Sequence, residues 1–361
     1  LATIYESRAC GREPVLPRLP VQYGDFAVWQ RQALQRGRFQ GHAPFGRQQL
    51  AGAVDLPGLD AERRRISVVS DRGARVTERL SRETTLALKQ LARKEHVTLF
   101  MILLAALKLL LARRTGQNDI VVGATVAGRN HPELEGLIGF FINAVALRAD
   151  LSGNPLFPEL LGRVREVCLE AYTHQDLSFE RVVEDLQPQR DPARNPIFQV
   201  LFNMVDIAGR DLNLAGCVTT RLNRAAPGAK FDLVAQAPQV DGGIELALVY
   251  NRDLFTAASA RAMLGQWAFL LSQIVEEPDR RLDQFSMVPP QAQAVVPNPS
   301  ERLDDCWRGP IYSWLAPRAE GKWTPAQETR HIVLAYEAFL RDDGGRGSMQ
   351  LPGTPWGRAS P

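Results

Sequence analysis

Cysteine is scarce in this 361-residue chain: only Cys10, Cys168, Cys217 and Cys306 are present, none in a CxxC pair. Their spacings fit no zinc-ligand pattern, so they read as small core residues or surface bystanders. Sparse, scattered cysteines suit a reducing compartment, and a cytoplasmic location is expected. A charge excess is also missing. Lys and Arg number 43 against 40 acidic residues, a formal net charge of +3, which gives no footing for a nucleic-acid partner. Nor is there a membrane-length apolar run. The longest candidate, residues 97–112 (VTLFMILLAALKLLLA), holds 16 residues with Lys108 inside. That is below the ~20 a helical span needs, so a buried helix is expected and no membrane partner. The GxxxxGK[ST] phosphate loop and the GxSxG nucleophile elbow are both absent, as is any repeat of solenoid length. The chain opens on Leu1 with no basic-then-apolar leader, so its first residue is expected to be an interior point of a longer polypeptide.

What is present is ordinary globular material, 45% hydrophobic and 23% charged, enough to bury a sizeable core. The proline-spaced stretch PVLPRLP predicts an irregular segment over 1–20. Apolar spacing predicts a helix over 21–36, followed by a Gly-, Pro- and Arg-rich connector over 37–70. Alternation predicts a strand over 74–80. Ser81 and Thr98 suit the N-caps of two helices, the first running to about Lys94 and the second apolar throughout. Strands are expected over 119–126, 142–147 and 197–204, and helices over 155–172, 179–186 and 254–275. Residues 231–239 and 243–250 read as a hairpin turning at Asp241-Gly242. Strands adjoin without intervening helices, so the expected class is α+β with a mixed sheet. After Pro289 the composition turns linker-like, and poor order is expected in the last thirty or so residues.

Four stretches, in order, carry a resemblance. VQYGDFAVWQR (21–31) looks like a YxDxAxWQ motif through Tyr23, Asp25, Ala27, Trp29 and Gln30. IGFFINAVALR (138–148) is similar to IGxFVNTxxLR, with Gly139, Asn143 and Arg148 in place. HQDLSFE (174–180) resembles HQDxPFE through His174, Gln175 and Asp176. RDPARNPIFQV (190–200) resembles RDxSRNPLFQV through Arg190, Asp191, Arg194 and Asn195. Together they resemble the condensation domains of nonribosomal peptide synthetases over roughly residues 1–288.

The resemblance implies a fold like chloramphenicol acetyltransferase, two lobes in a V with a tunnel between them, of which this chain would be an incomplete part. It implies residues 1–70 as the end of the N-terminal lobe with its connector and 71–288 as the C-terminal lobe. Residues 289–361 would be a linker and divergent tail. Within that tail 307–325 loosely resembles the lead-in to an adenylation domain, and from Ala326 an altered reading frame or truncated gene is a hypothesis. The family's catalytic histidine lies in an HHxxxDG motif. No two of His42, His96, His131, His174 and His331 are adjacent, so that histidine is expected upstream. The implied activity is amide formation between thioesters tethered to 4′-phosphopantetheine on donor and acceptor peptidyl carrier domains, beside an adenylation domain. No cofactor is expected to bind directly, and the chain alone is expected to be inactive. The alternative is a non-catalytic carrier-docking lobe or degenerate remnant.

Each motif residue also has a structural reading. His174 and Asp176 could orient a general base, or brace a helix end. Asn143 supports an active site, or simply satisfies a strand amide. Asp25 and Trp29 share a helix face; Asp25 could reach across the lobes or serve structure, and Trp29 could bind or pack. Arg190, Asp191 and Arg194 could meet a phosphate, or brace a loop, and Asn195-Pro196 is turn chemistry. Gly136 and Gly139 permit close backbone approach or a positive φ.

Overall fold

The computed structural model describes residues 2–39, 42–53, 59, 71–188, 191–204, 214, 216–219, 228–240 and 242–290. The chain divides into two units, Leu1–Met287 and Val288–Pro361, and every element below belongs to the first. Arg190, Cys306, Asp241 and the 291–361 tail lie outside the described residues.

Helix α1 (Ala2–Ala9) occupies part of the segment expected to be irregular, and it buries none of its residues. The prolines that forbid a helix begin only at Pro14, after α1 has ended. Helix α2 (Tyr23–Gln35) follows as the apolar spacing predicts. A short helix, α3 (His42–Leu50), interrupts the expected connector. Its signal is weak in sequence because Pro44 and Gly46 sit inside it.

The body of the unit is a mixed sheet. Strands β1 (Gly73–Arg79), β2 (Asp119–Val126), β3 (Asn143–Asp150), β4 (Val200–Asn203), β5 (Leu233–Gln236), β6 (Gln239–Val240) and β7 (Gly243–Asn251) form it in the order β1-β7-β5-β4-β2-β3, with β6 added to β7. β4 runs parallel to both β2 and β5, and the remaining pairs are antiparallel. The strand expected over 231–239 is split: β5 pairs with the middle of β7, while β6 makes the short hairpin through Gly242, whose φ is +75°.

Helices α4 (Arg82–Lys94), α5 (Leu99–Thr115), α6 (Phe157–Thr173) and α8 (Ala257–Glu276) cover one sheet face and enclose the main core. Hydroxyl caps set three of their starts. Ser81, Thr98 and Thr256 accept from the backbone N–H groups of Thr84, Met101 and Ser259. α5 is buried without a break from Met101 to Ala112, as a helix apolar on every side must be. Among the described residues no single helix is long and apolar enough to cross a membrane. The other sheet face is covered in part by α3 and by α7 (Phe179–Leu186), where Leu50, Phe179 and Val182 pack on Val121, Ala146 and Leu201. Cys168 is in the core, whereas Cys10 and Cys217 are exposed.

Candidate functional site: the junction of the four motifs

The four motif stretches, spread over residues 21–200, meet in space. The first joins the second through Tyr23. Its hydroxyl donates to the Phe140 carbonyl at 3.1 Å, and its ring stands edge-on to Phe141 at 5.2 Å. Gly139 makes this possible, because a Cβ there would lie 2.2 Å from Tyr23 Cδ2. Phe26 adds a tilted contact to Phe141 at 4.8 Å. Arg129 covers Phe141 from another side, its guanidinium 4.2 Å from the ring centroid, and donates to the Leu134 carbonyl.

Asn143 joins the second motif to the third. From the first position of β3 its Nδ2 donates to the carbonyls of Gln175 and Leu177, each at 2.8 Å. Its Oδ1 accepts from the N–H groups of Ala144 at 2.9 Å and Phe179 at 3.0 Å. All of its hydrogen-bonding capacity is thus engaged in clamping the α6–α7 turn to the sheet. The third motif joins the fourth through aromatic packing: Phe179 lies 5.1 Å from Phe198, which stacks on Phe231 at 5.5 Å. Gln199, buried, closes a ring with Asn195, and the Asn195 amide donates to the Lys230 carbonyl at 2.8 Å.

Asp25 accepts from the Gln22 N–H at 2.8 Å, so it caps its own helix. Trp29 meets His131 edge-on at 5.7 Å and lies under the Arg38 guanidinium at 5.5 Å, both packing contacts. His174 is the C-terminal residue capping α6, its N–H bonded to Glu170 and Ala171 carbonyls. Asp176 turns its carboxylate to Asn130 Nδ2 at 2.6 Å. Gln175 braces the same turn by donating to the Tyr172 carbonyl at 2.8 Å. Asp191 accepts from Ala193 N–H at 2.8 Å and pairs with Arg194 at 3.5 Å. These two and Asn195 line an open cavity of about 1170 Å³ beside the C-terminal ends of α3 and α7.

Arg148 makes a forked ion pair with Asp119, at 2.8 and 2.7 Å, and donates to the Gln49 and Ala51 carbonyls at the end of α3. The Asp119 carboxylate holds the guanidinium above its usual pKa. Sequence reasoning found Arg148 but missed Asp119, Asn130 and Lys108. The first two are ordinary polar residues until the fold supplies their partners. Lys108 carried a signal, a lone charge in an apolar helix. Its Nζ is wholly buried and donates to the Ile120 and Leu147 carbonyls at 2.7 and 2.6 Å, and burial lowers its pKa to about 7.

Beside the junction, Ile138 and Phe140 are 96% and 75% exposed, while Phe141 between them and Asn143 is buried. Among the described residues no cluster of His, Cys, Asp or Glu could hold a metal ion.

The mixed sheet with its covering helices has the fold of condensation domains, which is like that of chloramphenicol acetyltransferase. The condensation-domain family model matches residues 1–296, and the chain belongs to that family. It is 42% identical over 298 residues to a linear gramicidin synthase of Brevibacillus parabrevis, covering 82% of this chain but 4% of that protein. The crystal structure of the X-domain from teicoplanin biosynthesis matches with a TM-score of 0.73 at 29% identity, over 79% of this chain and 66% of that one. The X-domain is also known in complex with OxyB, and that chain matches equally well at 0.73 and 29%, over 80% of this chain and 65% of that one. A holo four-domain nonribosomal peptide synthetase bound to AMP and glycine matches at 0.64 and 25% identity, over 71% of this chain and 20% of that one.

Proposed function

We propose that the chain is the downstream part of a peptide-bond-forming condensation domain, residues 1–70 ending an N-terminal lobe, 71–288 forming the C-terminal lobe and 289–361 leading toward an adenylation domain. The substrates are aminoacyl or peptidyl groups held as thioesters on the 4′-phosphopantetheine arms of donor and acceptor peptidyl carrier domains. The acceptor amine attacks the donor thioester carbon, a C–N bond forms, the C–S bond breaks, and the departing thiolate takes up the proton the amine loses. Catalysis of such a step rests largely on holding two tethered reactants together. A cytoplasmic setting goes with this reading.

One observation carries the proposal: the four motif stretches converge on a single junction, with Asn143 as its clamp. In this reading Asn143, Asp25 and Trp29 support the active site by positioning other groups and touch no substrate. The histidine that assists the attack belongs to an HHxxxDG motif, and none of this chain's five histidines fits it. The exposed Ile138 and Phe140 are then an edge for the other lobe to cover.

The test is reconstitution with two loaded carrier domains. The chain alone is expected to give no amide, and the same chain fused behind an HHxxxDG-bearing lobe is expected to give it. Amide from the chain alone overturns the assigned dependence on that lobe, and no amide from the fusion overturns the enzyme reading. A second, non-catalytic reading is favoured by the X-domain, a relative solved in complex with another protein, OxyB. Under it the chain docks carriers without chemistry. A pull-down that retains phosphopantetheinylated carrier on the chain while the fusion stays inactive selects that reading.

A further inference from the structure

The sheet face opposite the main core changes character along its length. Near one end Val121, Ala146, Leu201 and Val234 lie beneath α3, α7 and the Phe198 ring. One step along, side chains on the same face form a different row. Side chains alternate between faces with a period of two, so Asn203 points with Leu201, Gln236 with Val234 and Thr125 with Gly123 and Val121. Pairing across the sheet completes the row. Ala144 is opposite Thr125, Asn203 opposite Gln236, Gln236 opposite Ala247, and Ala247 opposite Thr77. Six strands thus contribute Ala, Thr, Asn, Gln, Ala and Thr in sequence. Thr125 and Thr77 are exposed, Ala144, Asn203 and Gln236 are half-buried, and Ala247 between Gln236 and Thr77 is buried.

The hydrogen bonding of this row is incomplete on one side only. Thr125 donates to Asn203 Oδ1 twice, from its N–H at 3.2 Å and from its hydroxyl at 2.6 Å. A backbone N–H can only donate, so the atom it meets is the carbonyl oxygen of the carboxamide, and the orientation of the Asn203 amide is fixed. Both oxygen lone pairs are taken. Nδ2 therefore faces away from Thr125 with two N–H groups that no atom among the described residues accepts. The Gln236 amide and the Thr77 hydroxyl, further along the same row, likewise have no partner among the described residues. The row itself carries no charge. Arg75, Arg79 and Glu245 flank it on the same face: Arg75 pairs with Glu245 at 3.1 Å, and Arg79 donates to the Val240 carbonyl at 3.2 Å.

A line of neutral donors and acceptors, ended by Ala144 and interrupted by Ala247, suits an extended neutral ligand bearing amide groups. On the proposed function, on which this inference rests, that ligand is the acyl-pantetheine arm. We propose that Asn203 is a substrate-positioning residue whose Nδ2 donates to a carbonyl oxygen of the pantetheine-tethered acyl group laid across this row.

The probe is S-acetylpantetheine, titrated into the 15N-labelled full chain while the side-chain NH2 signals are followed. The Asn203 pair is identified by its disappearance in Asn203→Asp. That variant keeps an oxygen for Thr125 and replaces the two donors by a carboxylate, so its melting temperature is measured alongside. Saturable movement of the Asn203 pair is expected, with binding at least fivefold weaker in Asn203→Asp. Gln236→Met, which breaks no hydrogen bond among the described residues, is expected to weaken binding two- to threefold and serves if Asn203→Asp unfolds. Unchanged affinity in both variants, or no movement of the Asn203 pair, overturns the assignment. A parallel pull-down with holo and apo carrier domains separates the two levels. Holo carrier retained with the Asn203 pair unmoved overturns the residue assignment alone, and loss of both overturns the carrier reading with it.

Discussion

The Phe198 ring occupies the space a side chain on Gly123 would need: a Cβ there would lie 2.1 Å from Phe198 Cε2. The fourth motif is seated on the sheet by a missing side chain. Glycine in a strand interior ordinarily weakens it, and here that weakness is exchanged for the close approach of an aromatic ring that also contacts Phe179 and Phe231. Gly123→Ala should therefore destabilise the chain by about 1–3 kcal/mol, the usual range for overpacking. Phe198→Leu in the same chain should recover part of the loss. Urea denaturation of the single and double variants checks this, and additive losses would contradict the seat described.

Asn143→Asp removes the donor to the Gln175 and Leu177 carbonyls and sets a carboxylate against them, while keeping the acceptor for Ala144 and Phe179. Two buried-side carbonyls left unmet should cost roughly 2–4 kcal/mol. Hydrogen exchange should accelerate over residues 174–179 first. A variant as stable as the parent would show that the clamp contributes nothing.

Arg148→Lys keeps a positive charge and loses the fork that serves Asp119 and the end of α3 together. The expected loss is about 1.5–3 kcal/mol, the range for hydrogen bonds to charged groups. Its signature should be faster amide exchange in α3 with α8 unchanged. Equal exchange in α3 would mean that the helix is held by apolar packing alone.

Lys108 predicts a pH dependence of known sign. Burial lowers its pKa from 10.5 to about 7 in the folded chain. Between those values the unfolded chain binds more protons at this amine than the folded one, so stability rises with pH across the window, and below about 7 the gain is absent. Cys168 and Tyr172 act oppositely at higher pH, their pKa values raised by burial to about 11 and about 12. The comparison therefore belongs between pH 7 and 8.5. Over that range the parent should gain stability relative to Lys108→Met, by denaturant midpoint, and parallel pH profiles would refute the assignment.

Much of the fold was legible because its signals are local. Ser81 and Thr98 announced two helix starts, the run 119–126 is β2 to the residue, and 179–186 is α7 to the residue. The misses have a common physical origin. α3 contains Pro44 and Gly46 and is held from outside by Arg148, about a hundred residues downstream. The strand expected over 231–239 splits because β5 and β6 answer to different parts of β7. At the junction, Tyr23, Asn143 and Arg148 were visible as motif members, but their partners were not. Asp119 becomes a partner only when β2 pairs with β3, and Asn130 only when its loop folds back.

By itself the sequence determined the class, the family resemblance and the ends of most helices, because caps, periodicity and motif spacing act over a few residues. Only the tertiary structure decided what each polar group does. It turned Asp25 into a helix cap, directed Asp176 to Asn130, and turned Asn203 Oδ1 to Thr125. Hydrogen bonds are directional and short-ranged, so a donor's role depends on which acceptor the fold brings within about 3 Å.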